Sequence, residues 1–183
     1  MNRLLLLCLL FPLQACTSLT IRDAATNAYV PIQTGSFELH QEVSFPSERT
    51  RIFFQDGTIV TAINEFKPHC QLEINPLRET VQQVRPDRFE IIRVSTRTDQ
   101  VVMTQPVQLA AVRMGGSMLF GKSDGGVSRH MQVYLFRLHS ERQPQVRQLN
   151  CGGAFDDPGL AEWPTLQDIA RARSTAQAPR HAD

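Results

Sequence analysis

The stretch Arg51-Ile52-Phe53-Phe54-Gln55-Asp56-Gly57-Thr58-Ile59-Val60 places two runs rich in β-branched and aromatic residues on either side of an Asp-Gly pair. A two-residue hairpin loop of type I′ needs positive φ at both central positions. Gly adopts that conformation freely and Asp tolerates it, so the pair predicts a β-hairpin with strands over 51–55 and 58–63. The same texture continues outward. Phe37, Leu39, Val43 and Phe45 alternate with polar neighbours until Pro46-Ser47, as a half-buried strand should. Cys70, Leu72 and Ile74 share one face of a second alternating run, with Gln71 and Glu73 on the other, and Asn75-Pro76 closes it. Residues 76–83 fit either a short helix or an extended segment. Pro86-Asp87 forms a turn before a strand over 89–94, and 101–113 is extended in character with a break at Pro106.

Residues 131–138 are almost continuously apolar, which describes a central strand covered on both faces. Residues 146–150 read as a further strand. Residues 113–128 carry five of the ten glycines and read as a long flexible loop. Near the C-terminus, Pro164-Thr165 opens a helix: Thr165 is the N-cap, and Asp168 three residues later completes a capping box. Leu166, Ile169 and Ala170 supply its apolar stripe. The expected fold is therefore mainly β: a single antiparallel β-sandwich or partly open barrel with one C-terminal helix.

The first fifteen residues have the character of a targeting segment. Arg3 gives a short positive start, and the apolar run 4–12, interrupted only by Cys8, is far shorter than the ~20 residues a spanning helix needs. It ends in Leu13-Gln14-Ala15-Cys16, which resembles the lipobox of bacterial lipoproteins. That resemblance implies cleavage before Cys16, a diacylglycerol thioether on its sulfur, and a palmitate-type acyl chain. Two or more chains anchor stably where one is marginal. Thr17 follows, with no aspartate beside the lipidated residue. In the lipoproteins this resembles, that implies the outer membrane, with the domain facing the periplasm. The implied layout is a signal peptide over 1–15, a lipidated tether over 16–35 with a short helical turn near 23–27, one β-rich domain over 36–173, and a disordered tail over 174–183.

Removal of Arg3 with the signal leaves 18 basic side chains against 18 acidic ones, from the 19 and 18 of the whole chain. A formally neutral chain carries no bulk charge to steer it to nucleic acid. Lys67 and Lys122 are the only lysines. Once Cys8 leaves and Cys16 is acylated, Cys70 and Cys151 remain. An even pair in an oxidising compartment reads as one disulfide between them.

Residues 116–123, Gly-Ser-Met-Leu-Phe-Gly-Lys-Ser, match the phosphate-binding P-loop pattern. That chemistry needs a helix whose N-terminus follows Lys-Ser, and Asp124-Gly125-Gly126 break it at once. No nucleotide is expected there. Envelope cysteine peptidases hold their nucleophile in an Asp-Cys-Ser-Gly-like motif at a helix start. Neither His69-Cys70-Gln71 nor Asn150-Cys151-Gly152 is followed by a helical pattern that would lower a thiol pKa. His130 and His139 flank a strand, as a base sometimes does. His40, His69, His130, His139 and His181 are scattered, without ligand spacing, and read as exposed solitary residues, so no metal or cofactor is expected. Asp156-Asp157 before Pro158-Gly159 is a turn context rather than an acid/base pair.

Three segments carry a wider resemblance: 51–57 (Arg-Ile-Phe-Phe-Gln-Asp-Gly), 68–74 (Pro-His-Cys-Gln-Leu-Glu-Ile) and 85–94 (Arg-Pro-Asp-Arg-Phe-Glu-Ile-Ile-Arg-Val). Over the middle third of the chain they resemble a group of uncharacterised proteobacterial envelope lipoproteins, which implies a structural Cys70 but no activity. The function expected is a non-catalytic outer-membrane lipoprotein with a periplasmic binding or structural role. It would be held to the membrane by the lipid on Cys16, with an envelope protein as partner. The alternative is a cysteine-dependent hydrolase of peptidoglycan or peptides, separated from the first by the state of Cys70 and Cys151.

Overall fold

The computed structural model describes residues 18–32, 34–103 and 127–173. The signal segment, Cys16, the P-loop-like residues 116–123, the tail and His181 lie outside the described residues, as do the glycine-rich residues 113–126 and 104–113 of the extended run.

The chain is mainly β, with a curled seven-stranded antiparallel sheet that forms a half-barrel, two small sheets, and one C-terminal helix. In chain order the strands are β1 Thr20–Arg22, β2 Tyr29–Pro31, β3 Gly35–Leu39, β4 Val43–Phe45, β5 Arg51–Gln55, β6 Thr58–Val60, β7 His69–Ile74, β8 Gln82–Val84, β9 Asp87–Met103, β10 Val127–His139 and β11 Val146–Gly152. The helix α1 is Leu166–Ala172. The large sheet runs β3-β9-β10-β11-β7-β5-β6, while β1 pairs with β2 and β4 with β8.

The hairpin that opened the sequence reading is present. Asp56 and Gly57 have φ of 48° and 76°, and β5 pairs antiparallel with β6 through Gln55 and Thr58. The second strand stops at Val60, short of the 63 expected. The run expected as one strand over 36–45 is two, β3 and β4, in different sheets. The 76–83 segment leads into β8 and is not helical.

The period-two pattern of β7 explains how the core is built. Cys70, Leu72 and Ile74 are almost fully buried on one face. Cross-strand register sets Phe54, Cys70, Cys151 and Tyr134 in one row, and Ile52, Leu72, Leu149 and Phe136 in the next. Phe37, Leu39, Phe45 and Phe89 join the same cluster. The central strand β10 is covered on both faces, because Met131 and Val133 pack with Phe155 in a second, smaller cluster on the opposite side.

Two expectations are corrected here. The segment expected as a tether contains the β1–β2 hairpin, and Ile21 within it is fully buried in the main core. The helix stripe is also different. Thr165 does cap α1, with the reciprocal bonds to and from Asp168, but the buried residues are Ile169 and Ala172. Leu166 is 37% exposed and Ala170 faces solvent. A helix of under two turns buries only the positions that meet the sheet, here β7 and β5.

Candidate binding cleft

The edge of the half-barrel beside β1 and β2 holds a cleft of about 490 Å³, within the range of small-molecule sites. Four pieces of chain build it. β10 supplies Tyr134, on the core face next to Cys151; β9 supplies Thr96 opposite it; the β1–β2 hairpin supplies Arg22 and Tyr29; the segment before α1 supplies Glu162 and Trp163.

Each piece is held by identifiable contacts. The Tyr134 hydroxyl donates to the Thr20 carbonyl at 2.9 Å, tying β1 to the large sheet. Burial pushes the Tyr134 phenol above its ordinary pKa, with Tyr29 adding to the shift, so the group stays protonated and able to donate. The β1–β2 turn is fastened to α1: the Ala24 amide donates to Gln167 Oε1 at 2.8 Å, and Gln167 Nε2 donates to the Asp23 carboxylate. The 160–165 segment passes directly over Gly153, where a Cβ would run into the Glu162 carbonyl oxygen. Gly153 therefore sets the position of Trp163.

The cleft is aromatic on its walls and polar at its mouth. The Tyr134 and Trp163 rings meet at 4.8 Å between centroids, tilted by 42°. Tyr134 is buried, Trp163 is 40% exposed and Tyr29 is 69% exposed. Arg22 and Glu162 form a loose ion pair at 3.9 Å, with the Glu162 side chain open to solvent. Such a site offers ring faces to apolar or planar groups, with one cation and one carboxylate at the rim. Glu162 is the one carboxylate among its lining residues, and no cysteine or histidine lines it.

The residues singled out from sequence lie elsewhere. Cys70 and Cys151 sit opposite each other on β7 and β11, Cα atoms 4.1 Å apart and sulfurs at disulfide distance, both fully buried. His130 is joined to Asp156 through their backbones alone, by amide-to-carbonyl bonds of 2.8 and 2.9 Å. His139 lies at the far end of the same strand. His69 corrects the expectation of exposed histidines. It is 5% exposed, packs edge-on to Phe53, and burial lowers its pKa, opposed by a bond to the Lys67 carbonyl. Among the described residues no group of three or more His, Cys, Asp or Glu could hold a metal ion. Among them, too, no helix is long and apolar enough to cross a membrane.

A second polar cluster is structural. Asp87, at the start of β9, accepts from the Ser140 hydroxyl at 2.7 Å, from Gln143 and from Arg142. Gln143 also brackets Arg85, accepting from its amide and donating to its carbonyl. The carboxylate is enclosed by the turn after β10 and ties that turn to the entry of β9. Asp156 lies just before the turn that the Leu160 amide closes on the Asp157 carbonyl at 3.0 Å, and its carboxylate accepts from the Asp157 amide.

Sequence reasoning missed the cleft because its parts come from residues far apart in the chain. The one available signal was Trp163, the sole tryptophan, placed in a polar segment beside Pro164 rather than in an apolar run. No protein family, curated protein or solved structure matches this chain.

Proposed function

We propose that the chain is a lipid-anchored protein of the bacterial outer membrane, facing the periplasm and acting by binding rather than by catalysis. The observation that carries this reading is the pairing of Cys70 with Cys151 in the core. A bonded pair belongs to an oxidising compartment, in keeping with export by the 1–15 segment, and it leaves the hydrolase alternative without a nucleophile. Both sulfurs lie under the sheet, out of reach of any peptide. The lipobox-like Leu13-Gln14-Ala15-Cys16 supplies the anchor, and the aromatic cleft supplies a surface suited to a ligand or to an envelope partner.

Metabolic labelling with palmitate tests the anchor. The wild-type chain is expected to take up label and to fractionate with the outer membrane. Cys16→Ser is expected to accumulate as unlabelled precursor, and equal labelling of that variant would overturn the reading.

A further inference from the structure

We infer that the aromatic face around the cleft is the surface by which the domain lies on the lipid headgroup layer, with Tyr29, Leu160 and Trp163 at the membrane interface. This rests on acylation of Cys16, and it assigns the partner of the candidate cleft.

The length of the anchor decides the geometry. Ser18 lines the cleft, and a single residue, Thr17, separates it from Cys16. A chain spans at most ~3.3–3.6 Å per residue, so the acylated sulfur lies within roughly 10 Å of Ser18, side chain included. The headgroup layer of one leaflet is itself about 5–8 Å thick. A leash that short cannot hold the face beside Ser18 clear of the headgroups. The first described residues are also not free to swing away: Tyr134 grips Thr20, and the Ile32 amide donates to the Leu19 carbonyl at 3.0 Å.

The side chains that the leash brings to the membrane have interfacial chemistry. Trp163 and Tyr29 each join an apolar ring to a polar group, the combination enriched where hydrocarbon meets water. Leu160, 63% exposed, borders the neighbouring cleft together with Trp163, Arg22 and Glu162, and extends the apolar part of the face. Arg22, loosely paired with Glu162, puts a cation at the rim of this face. Exposing Leu160 and Tyr29 to water costs free energy that contact with the acyl boundary removes.

Trp163 is the only tryptophan, so its fluorescence reports this face alone. The full chain would be purified from envelopes, its acylation read by mass, and then reconstituted into phosphatidylethanolamine–phosphatidylglycerol vesicles. The lipids carry bromine near the headgroup end of the acyl chains, with unbrominated vesicles as reference. The expected result is loss of Trp163 emission in the brominated vesicles and a blue shift in both. The double variant Tyr29→Ser, Leu160→Ser changes only exposed side chains and should recover much of the lost emission. A control moves the reporter: Trp163→Phe with Leu77→Trp places it beyond the Ile74 end of β7, where no quenching is expected. Acylated protein whose Trp163 is unquenched, or is quenched no more than the Leu77→Trp reporter, overturns the inference and leaves the anchor standing. Protein that carries no acyl mass overturns the anchor reading and the inference with it.

Discussion

Asp87 shows how a single side chain is held in this fold and how it should respond to acid. Burial pushes its carboxyl up, but the bonds from Ser140, Gln143 and the Arg88 amide, with the Arg142 charge, outweigh that and hold it below its ordinary 3.8. The Arg142 side chain is 75% exposed, so its charge is screened and the neutral donors matter more. The sign follows from linkage. The unfolded carboxyl takes up its proton first, so the stabilisation is complete above about pH 3.8 and disappears as pH falls through the lower, folded value. Asp87→Asn should cost about 1.5–3 kcal/mol at neutral pH, the range for hydrogen bonds to a charged group. It should also flatten the loss of stability in acid. Urea denaturation across a pH series reads both, and an acid slope identical to wild type would remove Asp87 from this role. No such cluster could be read from the sequence, because Asp87, Ser140 and Gln143 meet only after β9 and β10 pair.

Elements defined by local chemistry were legible; those defined by distant pairing were not. The β5–β6 turn depends on two adjacent residues whose backbone requirements are known, and Thr165 caps α1 by bonds that span three positions. β1 and β2 are three residues each, too short to show an alternation, and only their packing against Tyr134 reveals that Ile21 is core. The helix stripe failed for a related reason: in a helix of seven residues, several sets of positions look equally apolar, and the sheet chooses among them. A backbone test separates local from tertiary effects. Gly57 has φ of 76°, so Gly57→Ala should cost roughly 1 kcal/mol. Gly35→Ala adds a Cβ at an ordinary 3.7 Å from Ile91 and should be close to neutral. Equal urea midpoints for the two variants would contradict the type I′ assignment of the turn.

At the scale of the whole molecule, the half-barrel is flanked by a β1–β2 hairpin that no sequence pattern placed there. The β1–β2 hairpin is fastened to β10 by Tyr134 and to α1 by Gln167, so the domain begins within a few residues of the proposed lipid. The Cys70–Cys151 pair joins two neighbouring strands across a separation of 81 residues. The chain-entropy estimate for closing such a loop is about 4–5 kcal/mol, an upper figure and a large share of a typical domain's stability. The anchor and the cysteine pair together define the proposal of an exported, lipidated, non-catalytic protein. One measurement reads both: the intact mass of the protein extracted from bacterial envelopes without reductant, after thiol blocking. The account predicts a chain beginning at Cys16, heavier by a diacylglycerol and an acyl group, lighter by two hydrogens, and carrying no thiol label. A chain that retains Met1 and its signal, or a mature chain with no acyl mass and two labelled thiols, would contradict it.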